Sequence, residues 1–356
     1  MKLNKKSAVI VRKTLDGWAK EGVIPEEEHQ RLLENIDVQP FDWRRLAGYA
    51  FLAALASLVI AIGSLMADTF LLAWISQFFR FDPPVRVVVT GILAATFYGW
   101  GFYRRRQNAS KIYSNEAVLF LGVIFTAAAI GQLGEWLDNG SGRISVLLLL
   151  GTVIYGVVGW FGRSALVWLF ALLSLGNAFG AETGYLSGWG AYWLGMSYPV
   201  RFIAFGLLLC ASALTLQPQL AARRLDRVSQ AMGLLYLFIA LWLLSIFGNY
   251  GDIDHWYQVR QIELMHWSLL FALAAAAAIW LGLKRDDAML RGFGLTFLAI
   301  NLYTRFFEFF WDTMPKTIFF LLLGISLWLL GISLWLLGRH AERVWRLGHH
   351  ENDVTH

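Results

Sequence analysis

The feature that most constrains this chain is a recurring one. Stretches of about 20 mostly apolar residues, separated by short polar connectors, follow one another from residue 46 almost to the carboxyl end. A helix needs about 20 residues to cross a hydrocarbon core about 30 Å thick, and in lipid its backbone polar groups must be satisfied within the segment, so such runs fold as membrane-spanning helices. They lie at 46–66, 85–103, 117–137, 144–161, 165–181, 200–216, 228–247, 264–283, 292–310 and 317–338. The prediction is an all-α, polytopic transmembrane helix bundle of about ten spans. The two runs around Gly162 and Arg163 also read as one broken helix. With 57% hydrophobic and 15% charged residues and a mean hydropathy of +0.52, the chain is too apolar for a soluble or a disordered domain.

Charge sets the expected orientation. With ten spans, one side holds Lys2, Lys5, Lys6, Arg12, Lys13, Lys20, Arg31, Arg44 and Arg45, then Arg104, Arg105, Arg106 and Lys111, then Arg163, then Arg223, Arg224 and Arg227, then Lys284, Arg285 and Arg291, and finally Arg339, Arg343 and Arg346. The other side holds Arg80, Arg86, Arg143, Arg201, Arg260, Arg305 and Lys316. Lys and Arg accumulate in cytoplasmic loops, so both termini are expected in the cytoplasm. Trp43, Trp100, Trp160, Trp280 and Trp345 then fall at cytoplasmic helix ends, and Trp74, Trp136, Trp189, Trp193, Trp256, Trp267 and Trp311 at outer ones, as an aromatic belt requires. Because the excess cations sit in short loops rather than on one face, the net charge of +5 does not read as a nucleic-acid surface.

Residues 1–45 are polar and precede the first apolar run, so the order expected of a cleavable signal peptide is missing and the run at 46–66 is expected to persist as the first span. Val11, Leu15 and Trp18 recur at helical spacing, Gly22 suits a left-handed stop, and Pro25 with Glu26, Glu27 and Glu28 suits the start of a second helix. This predicts a small cytoplasmic amphipathic helical hairpin that packs on itself, on the membrane surface or on a partner. Residues 46–338 form the bundle and 339–356 a polar cytoplasmic tail. The last span repeats GISLWLL, which places Gly324, Gly331 and Gly338 every seven residues. Small residues at that spacing serve close helix packing, within the chain or across a homodimer seam. Gly176, Gly180 and Gly184 mark the end of the fifth span in a comparable way.

Ionisable and amide side chains inside apolar runs cost a few kcal/mol on insertion scales, so each requires a partner, a cavity or an interface. Gln132 and Glu135 in the third span, Asn177 and Glu182 in the fifth, and Asn301, Arg305 and Glu308 in the ninth all reach the outer half at about 1.5 Å per residue. Glu263 and His266 stand at the outer start of the eighth. Asn301, Arg305, Glu308 and Asp312 share one helix face, and Arg305 is placed to pair with Glu308. Two readings follow. Arg305 snorkels to Glu308 and Asp312 and fixes helix tilt, or Gln132, Glu135, Asn177, Glu182 and Arg305 line an outward-facing pocket for a small polar or anionic solute.

Other chemistry is not indicated. The single cysteine, Cys210, lies within an apolar run, so no intramolecular disulfide or cysteine-based metal site is expected. The seven histidines, with His349 and His350 in the polar tail, contain no HExxH pair, and the chain has no Gly-x-Ser-x-Gly elbow or phosphate-cradling loop. No cofactor, metal or catalytic residue is predicted.

The Leu15-x-x-Trp18-x-x-x-Gly22-x-Ile24 pattern, the Gly131-Gln132 step and Asn301-x-x-x-Arg305-Phe306-Phe307 with Asp312 before a Gly-rich final span resemble a family of bacterial multi-span membrane proteins catalogued only as a domain of unknown function. Members of that family are often gene neighbours of the GDYxxLxY family. The resemblance runs from the hairpin to the last span. It implies a bacterial inner-membrane protein without established activity or cofactor and a membrane-anchored partner with an outer-side domain. Two functions are expected of the chain: a membrane scaffold or assembly component, on the Gly324, Gly331 and Gly338 series and the hairpin, or a transporter or sensor, on the polar residues of the outward-facing pocket.

Overall fold

The computed structural model describes residues 2–34, 37–39, 57, 81–108, 111–137, 143–250, 256–326 and 328. The predicted first span, apart from residue 57, and Gly331, Gly338 and the 339–356 tail lie outside these residues. Seven described helices are long and apolar enough to cross a bilayer, and the protein is a polytopic helical membrane protein. The ninth predicted run is also a long helix but too polar to be among the seven, and the tenth is described only at its start. The chain divides into two compact units, Met1–Asp138 and Asn139–His356.

In the first unit, β1 (Lys2–Asn4) pairs in parallel with β2 (Asp37–Gln39), with Leu3 opposite Val38. This three-residue pairing is an addition to the all-α expectation. Parallel strands need a crossover, and α1 (Lys5–Lys20) and α2 (Glu26–Glu34) supply it. Gly22 closes the turn between them at φ +71°, a conformation costly for a side chain with a Cβ, and His29 Nε2 meets Asp16 Oδ1 at 2.9 Å.

The pair α3 (Pro83–Gln107) and α4 (Ile112–Leu137) belongs to the same unit. Pro83 and Pro84 occupy the first turn of α3, where amide donors have no intrahelical partner, and Arg104, Arg105 and Arg106 occupy its last turn, where the helix dipole favours cations. The two helices meet closely at glycines: Gly101 faces Leu119, and Gly122 faces the Tyr98 ring. Midway along, the Tyr98 hydroxyl donates to Thr126 Oγ1 at 3.1 Å, while the Thr126 hydroxyl is spent on Gly122 O.

The second unit is built from successive antiparallel pairs. Between α5 (Ser145–Gly162) and α6 (Ala165–Leu186), Arg163 turns left-handed at φ 51° and the Ser164 hydroxyl caps α6 by accepting from Val167 N. The two runs flanking Gly162 are thus separate helices rather than one broken one. Helix α7 (Tyr198–Thr215), the short α8 (Gln217–Ala222) and α9 (Asp226–Phe247) follow. A 3-10 turn, Gln261–Leu264, leads into α10 (Met265–Lys284), and Asp287 caps α11 (Ala288–Phe310). Helix α12 (Lys316–Ser326) begins the final run.

Helix α9 is the hub, packed against α6, α7, α10 and α11. Its Leu234, Phe238 and Leu241 form a core with Phe271, Ala275, Ala278 and Phe297, and the Phe238 and Phe297 rings stack at 5.0 Å. Gly206 of α7 lies against the Leu237 backbone of α9, and Gly294 of α11 against the Ala275 carbonyl of α10, approaches that a Cβ would block. Fully buried Phe319 of α12 is ringed by Phe306, Phe307 and Trp311.

Candidate functional site

Each unit arranges its own share of the polar residues predicted inside the outer half. In the first unit, Arg86 in the opening turn of α3 donates through Nη1 and Nη2 to the two oxygens of Glu135 near the end of α4, at 3.0 and 2.9 Å. Such a bidentate grip is the strongest geometry open to this pair. Arg86 is buried, whereas the Glu135 side chain keeps 55% of its surface exposed. Gln132, one turn before Glu135, is 8% exposed, and its Oε1 meets no hydrogen-bond donor among the described residues.

In the second unit, Glu182 near the end of α6 accepts from Arg143 Nε at 3.2 Å and, more closely, from Arg143 Nη2 and the Ser145 hydroxyl. Arg143 lies just outside α5, and its hydrogen bond to Glu182 together with that carboxylate's charge lifts its pKa above the ordinary guanidinium value. Asn177, on the same helix as Glu182, is exposed and donates to Leu173 O of its own helix at 2.8 Å.

The ninth-run residues separate by depth. Asn301 is 3% exposed and turned to α10, donating through Nδ2 to Ser268 O at 3.0 Å and accepting from Ser268 Oγ at 2.8 Å. One turn on, Arg305 Nη2 donates to Glu308 Oε1 and to Ser245 O of α9, both at 2.8 Å, and Nη1 stands 2.6 Å from Glu308 Oε2. Asp312 follows α11 in an exposed turn. Glu263 pairs with Arg260 at 3.0 Å, and His266 packs its ring on Trp267. The structure thus brings together Arg305 with Glu308, whereas Asn301 meets Ser268, Glu182 meets Arg143, and Glu135 meets Arg86.

Three important residues were not singled out by sequence. Arg201 is fully buried, donates to Met196 O, Thr183 O and Ala191 O at 2.9, 3.3 and 3.0 Å, and lies 4.4 Å over the Tyr198 ring. It ties the 187–197 connector to α7. Asn249 does the same from the end of α9, its Oδ1 accepting from Ser197 N and its Nδ2 donating to Gly195 O. Arg86 is the third. Its signal was a spacing: Arg86 and Arg105 on α3 are separated by the same number of residues as Glu116 and Glu135 on α4.

Among the described residues no group of three or more His, Cys, Asp and Glu side chains stands ready to hold a metal ion. No family model, no curated protein and no solved structure matches this chain.

Proposed function

We propose that this protein is a scaffold or assembly component of a bacterial cytoplasmic membrane, with about ten spans, both termini in the cytoplasm and no catalytic activity of its own. The carrying observation is that every described cation of the predicted outer set has an acceptor within the chain. Arg86 has Glu135, Arg143 has Glu182, Arg260 has Glu263, Arg305 has Glu308, Arg201 has three backbone carbonyls and Lys316 has Trp311 O. Carboxylates offset the charge of four of these cations, and the acceptors of all six lie within the local structure, which supports a bracing role over the grip of an anionic solute. Gly324 adds support, since a methyl group there meets nothing within 4 Å among the described residues, which leaves this first of the three heptad glycines open to a helix from a membrane-anchored partner or a second copy. The motif resemblance to bacterial multi-span proteins supports the location.

The transporter or sensor reading keeps one observation of its own, Gln132 Oε1 without a donor among the described residues, close to the half-exposed Glu135. Native mass spectrometry of the protein extracted in mild detergent from its own membrane separates the two. A retained membrane protein or a second copy is expected, and a bare monomer carrying a small polar solute overturns the scaffold reading. A reporter fused after His356 is expected to be active only in its cytoplasmic form.

A further inference from the structure

We infer that α1 is a membrane-surface helix whose exposed face rests on anionic lipid headgroups beside the point where the chain enters the bilayer. Ile10, Thr14, Gly17 and Trp18 follow one another at intervals of four, three and one, so they share one face of α1. Leu15 is turned inward at 7% exposure, but Ile10 and Trp18 stay 65% and 46% exposed, and Val23 in the following turn 64%. A row carrying Ile10 and a tryptophan, bordered on one side by exposed Lys13 and Lys20, is the pattern of a helix lying in the headgroup layer.

Chain connectivity selects lipid as the occupant. Asn4 pairs with Gln39, which sets the start of α1 beside the end of β2. The first predicted span begins near residue 46, and at most about 3.6 Å per residue the intervening chain spans roughly 25 Å. The basic end of α1 is therefore tethered close to the cytoplasmic headgroups, whose anionic lipids attract Lys and Arg.

The test uses the full chain with Cys210→Ser and Ile10→Cys, labelled with an environment-sensitive fluorophore and placed in discs of phosphatidylcholine alone or with phosphatidylglycerol. In the anionic discs, iodide quenching is expected to fall several-fold and quenching by spin-labelled lipid to rise. Both effects should be reversed by Lys13→Glu with Lys20→Glu and by about 1 M salt, where the Debye length is about 3 Å. A label at Val23→Cys should repeat this behaviour, and one at Glu28→Cys should stay open to iodide in both discs. Equal iodide access in the two lipids overturns the inference. So does protection that persists in phosphatidylcholine and at high salt, which would mean that the face is covered by protein.

Discussion

Arg86 and Glu135 close one end of the α3–α4 pair through two parallel hydrogen bonds, and Arg105 and Glu116 close the other end at 3.3 Å. On each helix the two charged residues are roughly 28 Å apart at about 1.5 Å per residue, close to the about 30 Å of a hydrocarbon core. The pairs therefore mark two headgroup levels and hold the helices in register, because a one-turn slip would separate both at once. Glu135→Gln is expected to lower the thermal midpoint in detergent and Glu135→Arg to lower it further, since the second places two guanidinium groups together. The exchange Arg86→Glu with Glu135→Arg should recover more than half of that loss, measured by a fluorescence melt of the purified protein.

Two glycines three residues apart on α5 should respond in opposite directions. A methyl at Gly159 would stand 2.8 Å from the Trp168 backbone nitrogen, so α6 would have to move. A methyl at Gly156 meets nothing within 4 Å among the described residues. Gly159→Ala is expected to cost about 1–3 kcal/mol through overpacking. Gly156→Ala should be neutral or stabilising by up to about 1 kcal/mol, the helix-propensity difference. Unfolding of both variants under one detergent condition checks the contrast.

Particular residues show what was legible in the sequence. Apolar run length located the seven long apolar helices because lipid imposes it, and the Arg305–Glu308 pair was legible because both residues lie on one helix at a fixed spacing. Contacts between helices were not. Asn301 belongs by spacing to the Arg305 face, yet it is drawn to Ser268, a partner that only the packing of α10 on α11 supplies. Arg201 counted as a loop charge in the orientation argument, which weighs cations per connector and is indifferent to whether a carbonyl cage encloses one. Helix α6 runs on to Leu186, beyond the apolar border near residue 181, because Arg143 and Ser145 satisfy Glu182 there.

The reciprocal bonds between Asn301 and Ser268 are buried between α10 and α11, where water is not a ready substitute. A double-mutant cycle with Asn301→Ala and Ser268→Ala is expected to give a coupling of about 0.6 kcal/mol, and no more than about 1.7, as for interhelical hydrogen bonds in membranes. The side-chain bond from Ser268 Oγ is what the cycle reads, because the bond to Ser268 O survives the serine substitution.

Asp287 gives the α10–α11 connection an acid sensitivity. Burial pushes its carboxyl pKa up, but the Gln230 amide, the Leu290 and Met289 backbone amides and the Arg227 charge together outweigh this and hold it below the usual value. A carboxylate with a depressed folded pKa contributes stability that is complete above its unfolded pKa, about 3.9, and is lost as pH falls through the lower folded value. Stability should therefore decline below about pH 4 with a component that Asp287→Asn removes. At neutral pH, Asp287→Ala is expected to cost about 1 kcal/mol as the loss of a helix cap. Melts of the three proteins across an acid series make the comparison.

The Arg305–Glu308 pair separates the two functional readings most sharply. Its side chains are 11% and 15% exposed, and Arg305 also secures Ser245 O on the hub helix. Arg305→Gln leaves a largely buried carboxylate without its cation and is expected to cost roughly 2–4 kcal/mol, with Glu308→Gln falling in the same range. Removing both charges together relieves the penalty, so Arg305→Gln with Glu308→Gln should return most of the stability lost by either change. If the pair exists to brace helices, the double variant should also retain any partner that co-purifies with the parent protein. If Arg305 grips an anionic solute, the double variant should be stable and yet devoid of solute binding. Melting temperature and partner or solute retention, read on the same preparations, place the pair in one role or the other.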